Sequence, residues 1–362
     1  MRILAIDVGM GTQDILVYDD SGVPDNSIKM VFPSMTQILA KRVARCKGDL
    51  CFYGSPMGGG PLAYAIKNHM RKGFKVAMTP EAARSLRDNL EQVREMGVEI
   101  IADDEVGESR GRLIETRDVD FPFIKRVLTE IGECSDFDVI GVAVQDHGYA
   151  MNKSDREFRF EKFREALEKD GKLYSLGFYN PPAHYTRMSS LAGVIKEQPE
   201  RAFIVDSKIA AIVGALYGIK ERPVITIDIG NGHTTAALMK DGMEVLGLFE
   251  HHTHMLKRRT LEDYLRRFAA GELTNEEVFS DGGHGCYSKE ELPIRKIKKI
   301  LATGPMRGLL ANSDLQVSNA SPMGDVMMAG PIGIVNMIKT RVIFRVRNWI
   351  TFDSQIKELV DK

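Results

Sequence analysis

The sequence predicts an α/β protein of two lobes, each built on a mixed sheet whose first three strands are antiparallel. Apolar runs suited to buried strands alternate with helical patterns along most of the chain. A segment of strand, glycine turn and strand occurs twice, beginning at Ile3 and at Val224. This repeat is a whole subdomain, longer than the periods of about 20–50 residues that mark solenoids. We therefore expect two similar lobes in one chain.

In the first lobe, apolar runs at 2–8, 14–19 and 28–33 predict three strands, and Gly9 and Gly11 lie in the turn between the first two. Further strands are predicted at 50–54, 75–78, 98–102, 138–144 and 202–205. Helices are predicted at 61–71, 80–96, 123–131, 152–169 and 207–218. Irregular segments are predicted at 103–115 and 171–188.

The second lobe repeats the opening, with strands predicted at 224–228, 234–239 and 243–249. The predicted elements that follow are helices at 257–269, 289–299 and 323–338 and a strand at 298–302. The predicted domains are a first lobe at 1–221 with an inserted α/β region at about 50–200, a second lobe at 222–340, and a C-terminal tail at 341–362 that packs back on the lobes.

Composition limits the partners and the compartment. The formal net charge is −1, so bulk electrostatics give no reason to expect a nucleic acid or an anionic membrane as partner. No apolar run reaches the roughly 18 residues that would span a bilayer. The four cysteines are few and widely spaced, which is typical of a reducing compartment. We expect a cytoplasmic protein without a nucleic-acid or membrane partner.

The two hairpins have the composition of anion-binding turns. Each places an aspartate, Asp7 or Asp228, at the end of an apolar strand, followed by Gly-x-Gly and then hydroxyl residues. Glycine allows the backbone to approach a ligand, and successive N–H groups form a concave anion site. Threonine hydroxyls can donate to phosphate oxygens, and the aspartates can hold Mg²⁺ through water. The predicted phosphate-binding residues are Gly9, Gly11, Thr12, Gln13, Gly230, Gly232, Thr234 and Thr235.

The pair of hairpins resembles the phosphate-one and phosphate-two motifs of the acetate and sugar kinase, heat-shock chaperone and actin superfamily. Three other segments resemble its remaining motifs in order: the first connecting helix at 207–218, the adenosine motif at 300–308 and the second connecting helix at 321–333. The resemblance covers roughly residues 1–20 and 203–338. It implies two ribonuclease H-like lobes with ATP and Mg²⁺ in the cleft, and adds Gly304, Pro305 and Gly330 to the nucleotide site.

Asp206 directly precedes the first connecting helix. In sugar-kinase relatives this position carries the proton-accepting aspartate, and in ATPase relatives a residue there positions water, so the resemblance implies a catalytic role. The alternative is that Asp206 caps the helix, and the two roles are compatible. Many sugar kinases carry a basic residue after the first Gly-Thr, whereas this chain has Gln13 and Asp14. That departure weakens an ordinary sugar-kinase interpretation.

Two further segments are candidates for a second ligand. Gly58, Gly59 and Gly60 follow a strand and open a helix, where backbone N–H groups could bind an anion. The alternative is a tight strand–helix connection. Arg187 could bind a carboxylate or phosphate with two N–H groups, or could form a surface ion pair.

Histidines are concentrated in the second half of the chain. His251, His252, His254 and His284 lie close in sequence, and His147 follows an earlier strand. Imidazoles could ligate a transition metal or bind a substrate, or each could be a hydrogen-bonded loop residue. Their spacing matches no standard zinc motif.

The whole sequence also resembles an uncharacterised microbial branch of the superfamily that is sometimes labelled pyruvate formate-lyase activating protein-like. A radical-SAM activase needs a Cys-x3-Cys-x2-Cys cluster motif. The cysteines here are Cys46, Cys51, Cys134 and Cys286, and they form no such triplet. We therefore do not expect a radical-SAM activase.

The expected function is an ATP-dependent phosphotransferase or ATPase that uses Mg²⁺ and acts on an unknown small molecule. The alternative is a nucleotide-switched binding or assembly protein with slow hydrolysis and a protein partner or an oligomeric form. A third hypothesis is a metal-dependent hydrolase or transferase built on the region from His251 to His284.

Overall fold

The computed structural model describes residues 1–196 and 200–341, so the predicted tail at 341–362 lies outside the described residues except for its first position. The strands are Arg2–Val8 (β1), Thr12–Asp19 (β2), Ile28–Pro33 (β3), Leu50–Gly54 (β4), Val76–Met78 (β5), Glu99–Ile100 (β6), Arg112–Thr116 (β7), Val139–Val144 (β8), Gly177–Phe178 (β9), Arg201–Asp206 (β10), Val224–Ile229 (β11), His233–Met239 (β12), Val245–His252 (β13), Gly285–Ser288 (β14), Lys299–Thr303 (β15) and Val317–Asn319 (β16). The helices are Met35–Arg45 (α1), Gly60–Met70 (α2), Pro80–Ala83 (α3), Leu90–Glu95 (α4), Phe121–Glu130 (α5), Asp155–Asp170 (α6), Thr186–Lys196 (α7), Ser207–Ala215 (α8), Arg258–Ala269 (α9), Asn275–Ser280 (α10) and 329–341 (α11).

Two six-stranded sheets share one five-stranded topology, and their sixth strands lie at opposite edges. The first has the order β3-β2-β1-β8-β10-β9 and the second β14-β13-β12-β11-β15-β16. In each, the first three strands are antiparallel, and the first strand pairs in parallel with a later strand on its other side. The predicted fold class of two lobes with mixed sheets is confirmed. Because both faces of β1 and β11 are buried, the sequences of these strands are nearly continuous runs of apolar residues.

The parallel strands bring chain segments distant in sequence to one edge of the first sheet. Asp7 pairs in register with Ala143 of β8, and Val205 of β10 pairs with the same residue. The carboxyl ends of β1, β8 and β10 therefore meet, and the segments that follow them lie together. In the second lobe, Asp228 lies one residue before the end of β11, beside Thr303 of β15.

A third sheet, all parallel with the order β6-β5-β4-β7, lies between residues 50 and 116. It occupies only part of the predicted inserted region at about 50–200, because β8 pairs with β1 in the first lobe. The domain bounds themselves stay a prediction.

Helices α8 and α11 cross in backbone contact between the two large sheets. A Cβ added at Gly214 would lie 1.7 Å from the carbonyl oxygen of Ala329, and one at Gly333 would lie 1.8 Å from that of Ala210. Only glycine allows this approach, which agrees with the small-residue composition of the two connecting segments. Side chains of both lobes share the core around this crossing.

Three predicted helices differ from the structure for local reasons. The predicted helix at 80–96 is split into α3 and α4, because the Asn89 side chain accepts a hydrogen bond from the Glu91 N–H and starts a new helix. Pro293 interrupts the predicted helix at 289–299, leaving a single 3₁₀ turn. The predicted helix at 323–338 begins only at 329, since Met323 has a left-handed φ of 53°. None of the helices in the described residues combines the length and apolar character needed to cross a lipid bilayer.

Candidate functional site

A cavity of about 400 Å³ separates the two lobes and also borders the inserted sheet. Both predicted hairpins, the amino-terminal ends of α2 and α8, and the start of α11 line it. The predicted nucleotide and metal residues that line it are Asp7, Gly9, Gly11, Thr12, Asp228, Gly230, Gly232, Gly304, Pro305 and Gly330. The sequence therefore identified both walls of the cavity.

The two glycine loops approach each other across the cavity. A Cβ at Gly11 would lie 2.8 Å from Nδ2 of Asn231, and one at Gly232 would lie 3.3 Å from Cε of Met10. Each loop thus packs against a side chain of the other. This arrangement places the backbone of both loops within reach of one ligand between the lobes.

Two other glycines allow the backbone to pass close to the aspartates. A Cβ at Gly330 would lie 2.0 Å from Oδ2 of Asp7. Gly304 has a φ of 88°, and its Cβ would lie 2.4 Å from Oδ1 of Asp228. The nearby carboxylates require glycine at both positions, and at Gly304 the positive φ requires it as well, whatever ligand the cavity holds.

Three predicted phosphate-binding side chains lie outside the cavity lining. Gln13 follows Thr12 on a strand and points to the opposite face, where its Nε2 donates to the Pro33 carbonyl oxygen at 3.4 Å. The hydroxyl of Thr234 lies 3.0 Å from that of Thr253. Thr235 is fully buried in β12. Strand alternation and pairing account for these differences from the prediction.

Asp14 is a cavity residue that the sequence interpretation missed. It lies directly opposite Asp7 in the β1–β2 register, so the two carboxylates share one face of the sheet. Both are buried, and Oδ1 of each has no hydrogen-bond partner among the described residues. Burial raises the pKa of Asp7 to about 7. The pKa of Asp14 is raised to about 8, chiefly by burial and to a smaller extent by the negative charge of Asp7. The hairpin register was the signal that could have identified Asp14.

Lys208 is the second missed residue. Its Nζ donates to Oδ2 of Asp228 at 2.6 Å, and both side chains line the cavity. Burial alone would lower the pKa of Lys208, but the Asp228 carboxylate raises it overall. The cleft therefore contains a buried cation, although no lysine or arginine follows the first Gly-Thr before Lys29. Lys208 comes from the start of α8, which the sequence interpretation considered only for its small residues.

Asp206 does not line the cavity. Its Oδ2 accepts from Nη1 of Arg159 at 2.7 Å and its Oδ1 from Nη2 at 3.1 Å. Oδ1 also accepts a hydrogen bond from the backbone N–H of Lys208 at 2.9 Å, so Asp206 caps the N-terminus of α8, which was the alternative interpretation. Both oxygens of Asp206 are hydrogen-bonded and the side chain is buried, so its catalytic role stays a prediction.

Arg159 joins the lobes through a fully buried ion network. Besides Asp206 of β10, its Nε donates to Oε1 of Glu250 in β13 at 3.0 Å, and its Nη1 donates to the Asp146 carbonyl oxygen. Burial alone would raise the pKa of Glu250, but Arg159 lowers it overall. Arg159 lies on α6, a helix whose charges suggested only a solvated surface.

The glycine segment before α2 has structural reasons for its composition. A Cβ at Gly59 would lie 2.2 Å from the carbonyl oxygen of Ser85, and Gly60 has a positive φ of 33°. The Gly58 N–H donates to Oδ1 of Asp118 at 3.1 Å. All three glycines still line the cavity, so the tight-connection alternative and a ligand role are compatible.

Arg187 also lines the cavity, but its guanidinium is engaged. Nε and Nη2 donate to the two carboxylate oxygens of Asp118 at 2.7 and 2.6 Å, and Nη1 donates to the Gln145 carbonyl oxygen. Arg187 therefore forms an ion pair with Asp118, which was the alternative interpretation, although the pair is largely buried and not on the surface.

The histidines separate into two groups. Ring nitrogens of His147, His233 and His284 all lie within 4.8 Å of one another, and His252 flanks this cluster with its ring centroid 4.9 Å from that of His284. Burial lowers the pKa of His147 to about 3 and that of His284 to about 4, and it also lowers those of His233 and His252. Burial therefore favours the neutral form of all four rings.

The remaining predicted histidines lie elsewhere. His251 points away from the cluster, with Nε2 3.2 Å from Oδ2 of Asp281, and His254 is exposed. His233 was missed because it follows the second Gly-x-Gly, where the phosphate motif dominated the interpretation. Its register with His252 across β12 and β13 was the available signal.

The repeated sheet and the cavity between the two glycine loops define the structural class of this protein. The chain is a two-lobed α/β protein with one six-stranded mixed sheet in each lobe and a cavity between the lobes. It belongs to the family described as "Putative pyruvate format-lyase activating enzyme (DUF1786)", whose model matches residues 57–309. No curated protein matches the chain.

Solved structures similar to the chain share little sequence with it. Ethanolamine utilization protein EutJ from Carboxydothermus hydrogenoformans is 10% identical over 92% of this chain and 89% of that one, with a TM-score of 0.37. Inorganic polyphosphate/ATP-glucomannokinase from Arthrobacter sp. strain KM is 9% identical over 94% and 99%, with a TM-score of 0.39. The activator of 2-hydroxyisocaproyl-CoA dehydratase from Clostridium difficile, with bound ADPNP, is 7% identical over 94% and 97%, with a TM-score of 0.33. These low scores carry no conclusion about function.

Proposed function

We propose that the cavity between the lobes binds Mg-ATP, with the phosphates between the two glycine loops. The observation that carries this proposal is the meeting of two Asp-Gly loops across one cavity, each with its backbone exposed to the same space. Opposed N–H-bearing turns suit a polyphosphate, whose charge needs donors on more than one side. Closure of the lobes around it would exclude water.

The magnesium ion belongs with Asp7 and Asp14 in this proposal. Each has a buried carboxylate oxygen without a hydrogen-bond partner in the part of the chain that the structure describes, and Mg²⁺ prefers hard oxygen ligands. Asp228, the other predicted metal residue, already binds Lys208. When bound, Mg²⁺ would neutralise phosphate charge, and the Lys208–Asp228 pair would add a fixed cation on the second lobe's side.

The reaction proposed is ATP-dependent phosphoryl transfer to a small molecule, or ATP hydrolysis. An acceptor would occupy the side of the cavity next to the inserted sheet, where Gly58, Ser85 and Arg87 line the wall. One observation favours the second candidate function, a nucleotide-switched binding protein with slow hydrolysis. Asp206, the carboxylate expected to activate the acceptor or water, is bound by Arg159 outside the cavity.

Replacing Asp14 by asparagine tests the magnesium assignment. Without ligand, the variant should melt at a higher temperature than the wild type, because a buried carboxylate beside Asp7 is costly. A ligand at 100 times its Kd adds about 2.7 kcal/mol to stability, and we expect the variant to lose most of this gain with Mg-ATP. Thermal unfolding with and without Mg-ATP measures both effects.

The matched control is Asp25→Asn, which changes an exposed aspartate far from the cavity lining. It should leave both the melting temperature and the nucleotide-dependent shift unchanged. An Asp14→Asn variant that is stabilised by Mg-ATP as strongly as the wild type would remove Asp14 from the magnesium site.

The rate of ATP hydrolysis without an acceptor distinguishes an ATPase from a nucleotide switch. A kinase with its acceptor works at about 1–100 s⁻¹, whereas nucleotide switches hydrolyse alone at about 0.01 s⁻¹ or below. Because Asp206 is bound outside the cavity, we expect ATP hydrolysis by the purified protein to fall in the slow range. Phosphate release under single-turnover conditions measures this rate. Fast hydrolysis without any partner would contradict the switch.

A further inference from the structure

We propose that His147, His233 and His284 form a binding site for one transition-metal ion of the zinc class, separate from the magnesium site. The three residues come from different elements: His147 follows β8 of the first lobe, His233 opens β12 and His284 precedes β14. One ligand nitrogen from each lies within 4.8 Å of the other two. The fold thus brings three imidazoles together across the two lobes.

The spacing is close to that of a coordinated metal. Zinc–nitrogen bonds of about 2.0–2.1 Å in tetrahedral geometry place ligand nitrogens about 3.4 Å apart. Small rotations of the rings would bring nitrogens now within 4.8 Å to this separation. Imidazole ligands favour zinc, cobalt, nickel or copper, whereas Mg²⁺ prefers oxygen. The ligand set therefore selects a different metal from the Asp7–Asp14 pair.

Unsatisfied nitrogen atoms give an independent indication. His284 is only 1% exposed, and neither of its ring nitrogens has a hydrogen-bond partner among the described residues. Nε2 of His233 is also buried without a partner there. Buried polar atoms are nearly always paired, so these nitrogens require a ligand to explain them. A metal ion between the rings would satisfy one of these nitrogens on each ring.

The surroundings also support metal coordination. Oε1 of Glu250 lies 3.8 Å from Nδ1 of His284, and Arg159 holds Glu250 in place from the other side. Metal-binding histidines commonly donate their second N–H to a carboxylate, which fixes the ring and its tautomer. At 3.8 Å the Glu250 carboxylate is beyond hydrogen-bond distance, and it supplies a nearby negative charge to the His284 ring.

The site adjoins the proposed nucleotide cavity. His147 and His233 line the cavity, whereas His284 lies behind them. Three protein ligands with a fourth position open to substrate or water are typical of catalytic zinc, and structural zinc usually has four protein ligands. We infer that a ligand in the cavity reaches the metal, so the site contributes to binding the second substrate.

Cobalt titration of the metal-depleted full chain tests the site. Chelator-treated protein should bind one Co²⁺ per chain with visible ligand-field absorption, and Zn²⁺ should displace it. His233→Ala and His284→Gln should each weaken Co²⁺ binding at least tenfold, and His254→Ala, which changes an exposed histidine, should not. Circular dichroism establishes that each variant is folded. His233→Ala alone carries the test if His284→Gln does not fold.

Two results would overturn the proposal: no saturable Co²⁺ binding by folded wild-type protein, or binding that the folded histidine variants leave unchanged. The magnesium proposal is tested separately, because Asp14→Asn should keep its Co²⁺ affinity. A protein that binds Co²⁺ but no nucleotide would retain this site and reject the proposed function.

Discussion

Gly333→Ala should lower the free energy of unfolding by about 3 kcal/mol or more, or prevent folding. The added Cβ would lie 1.8 Å from the Ala210 carbonyl oxygen, a backbone atom of α8 that cannot move without displacing the helix. Because α8 and α11 cross between the large sheets, separating them would disturb the core shared by both lobes. Chemical denaturation monitored by circular dichroism measures the loss.

Gly193→Ala is the matched control, since Gly193 lies in helix α7 and no atom lies within 4 Å of an added Cβ. It should stabilise the protein by up to about 0.5–1 kcal/mol, because alanine is the better helix former. If Gly333→Ala unfolds at the same denaturant concentration as the wild type, the two helices do not cross as described.

Arg159→Met should cost about 3–5 kcal/mol, because it leaves Asp206 and Glu250 buried without their counter-charge. Methionine keeps much of the side-chain volume, so the loss reports charge and hydrogen bonding more than packing. The measurement is again the unfolding free energy in denaturant. Lys153→Met, which removes one side of an exposed ion pair with Glu161, should leave stability within experimental error.

A triple variant sharpens this prediction. Adding Asp206→Asn and Glu250→Gln to Arg159→Met removes the unpaired charges and should recover much of the lost stability. A single variant as stable as the wild type, or a triple variant no better than the single one, would contradict the buried network.

The fold was predictable because its signal is local and occurs twice. An apolar strand, an aspartate and a glycine turn can be read at Asp7 and again at Asp228, and strand pairing then reproduces the same sheet around each. Gly304 and Gly330 were also found from their motifs. Both glycines contact the aspartates, and short sequence motifs were sufficient to select them.

The rest of the site depends on contacts between distant segments. Lys208 binds Asp228, and Arg159 on α6 reaches Glu250 in the other lobe, pairings that no local pattern indicates. The histidine cluster likewise needs the sheet register to bring His233 beside His252. Asp206 had the right sequence position for a base, but a partner 47 residues earlier in the chain determines its role.

The family description names a pyruvate formate-lyase activating activity, and the cysteines of this chain bear on it. Cys51 lies in the inserted sheet, Cys286 in the second lobe, and Cys134 is exposed after α5. Their spacing along the chain gives no Cys-x3-Cys-x2-Cys motif. The cavity between the glycine loops is instead the feature on which the proposed function rests.

The most direct test of the central claim is a crystal structure of the protein with Mg²⁺ and a non-hydrolysable ATP analogue. We expect phosphates between the loops at 9–12 and 230–232, with the metal ion next to Asp7 and Asp14. Nucleotide bound outside this cavity, or a cavity that stays empty at saturating analogue, would contradict it.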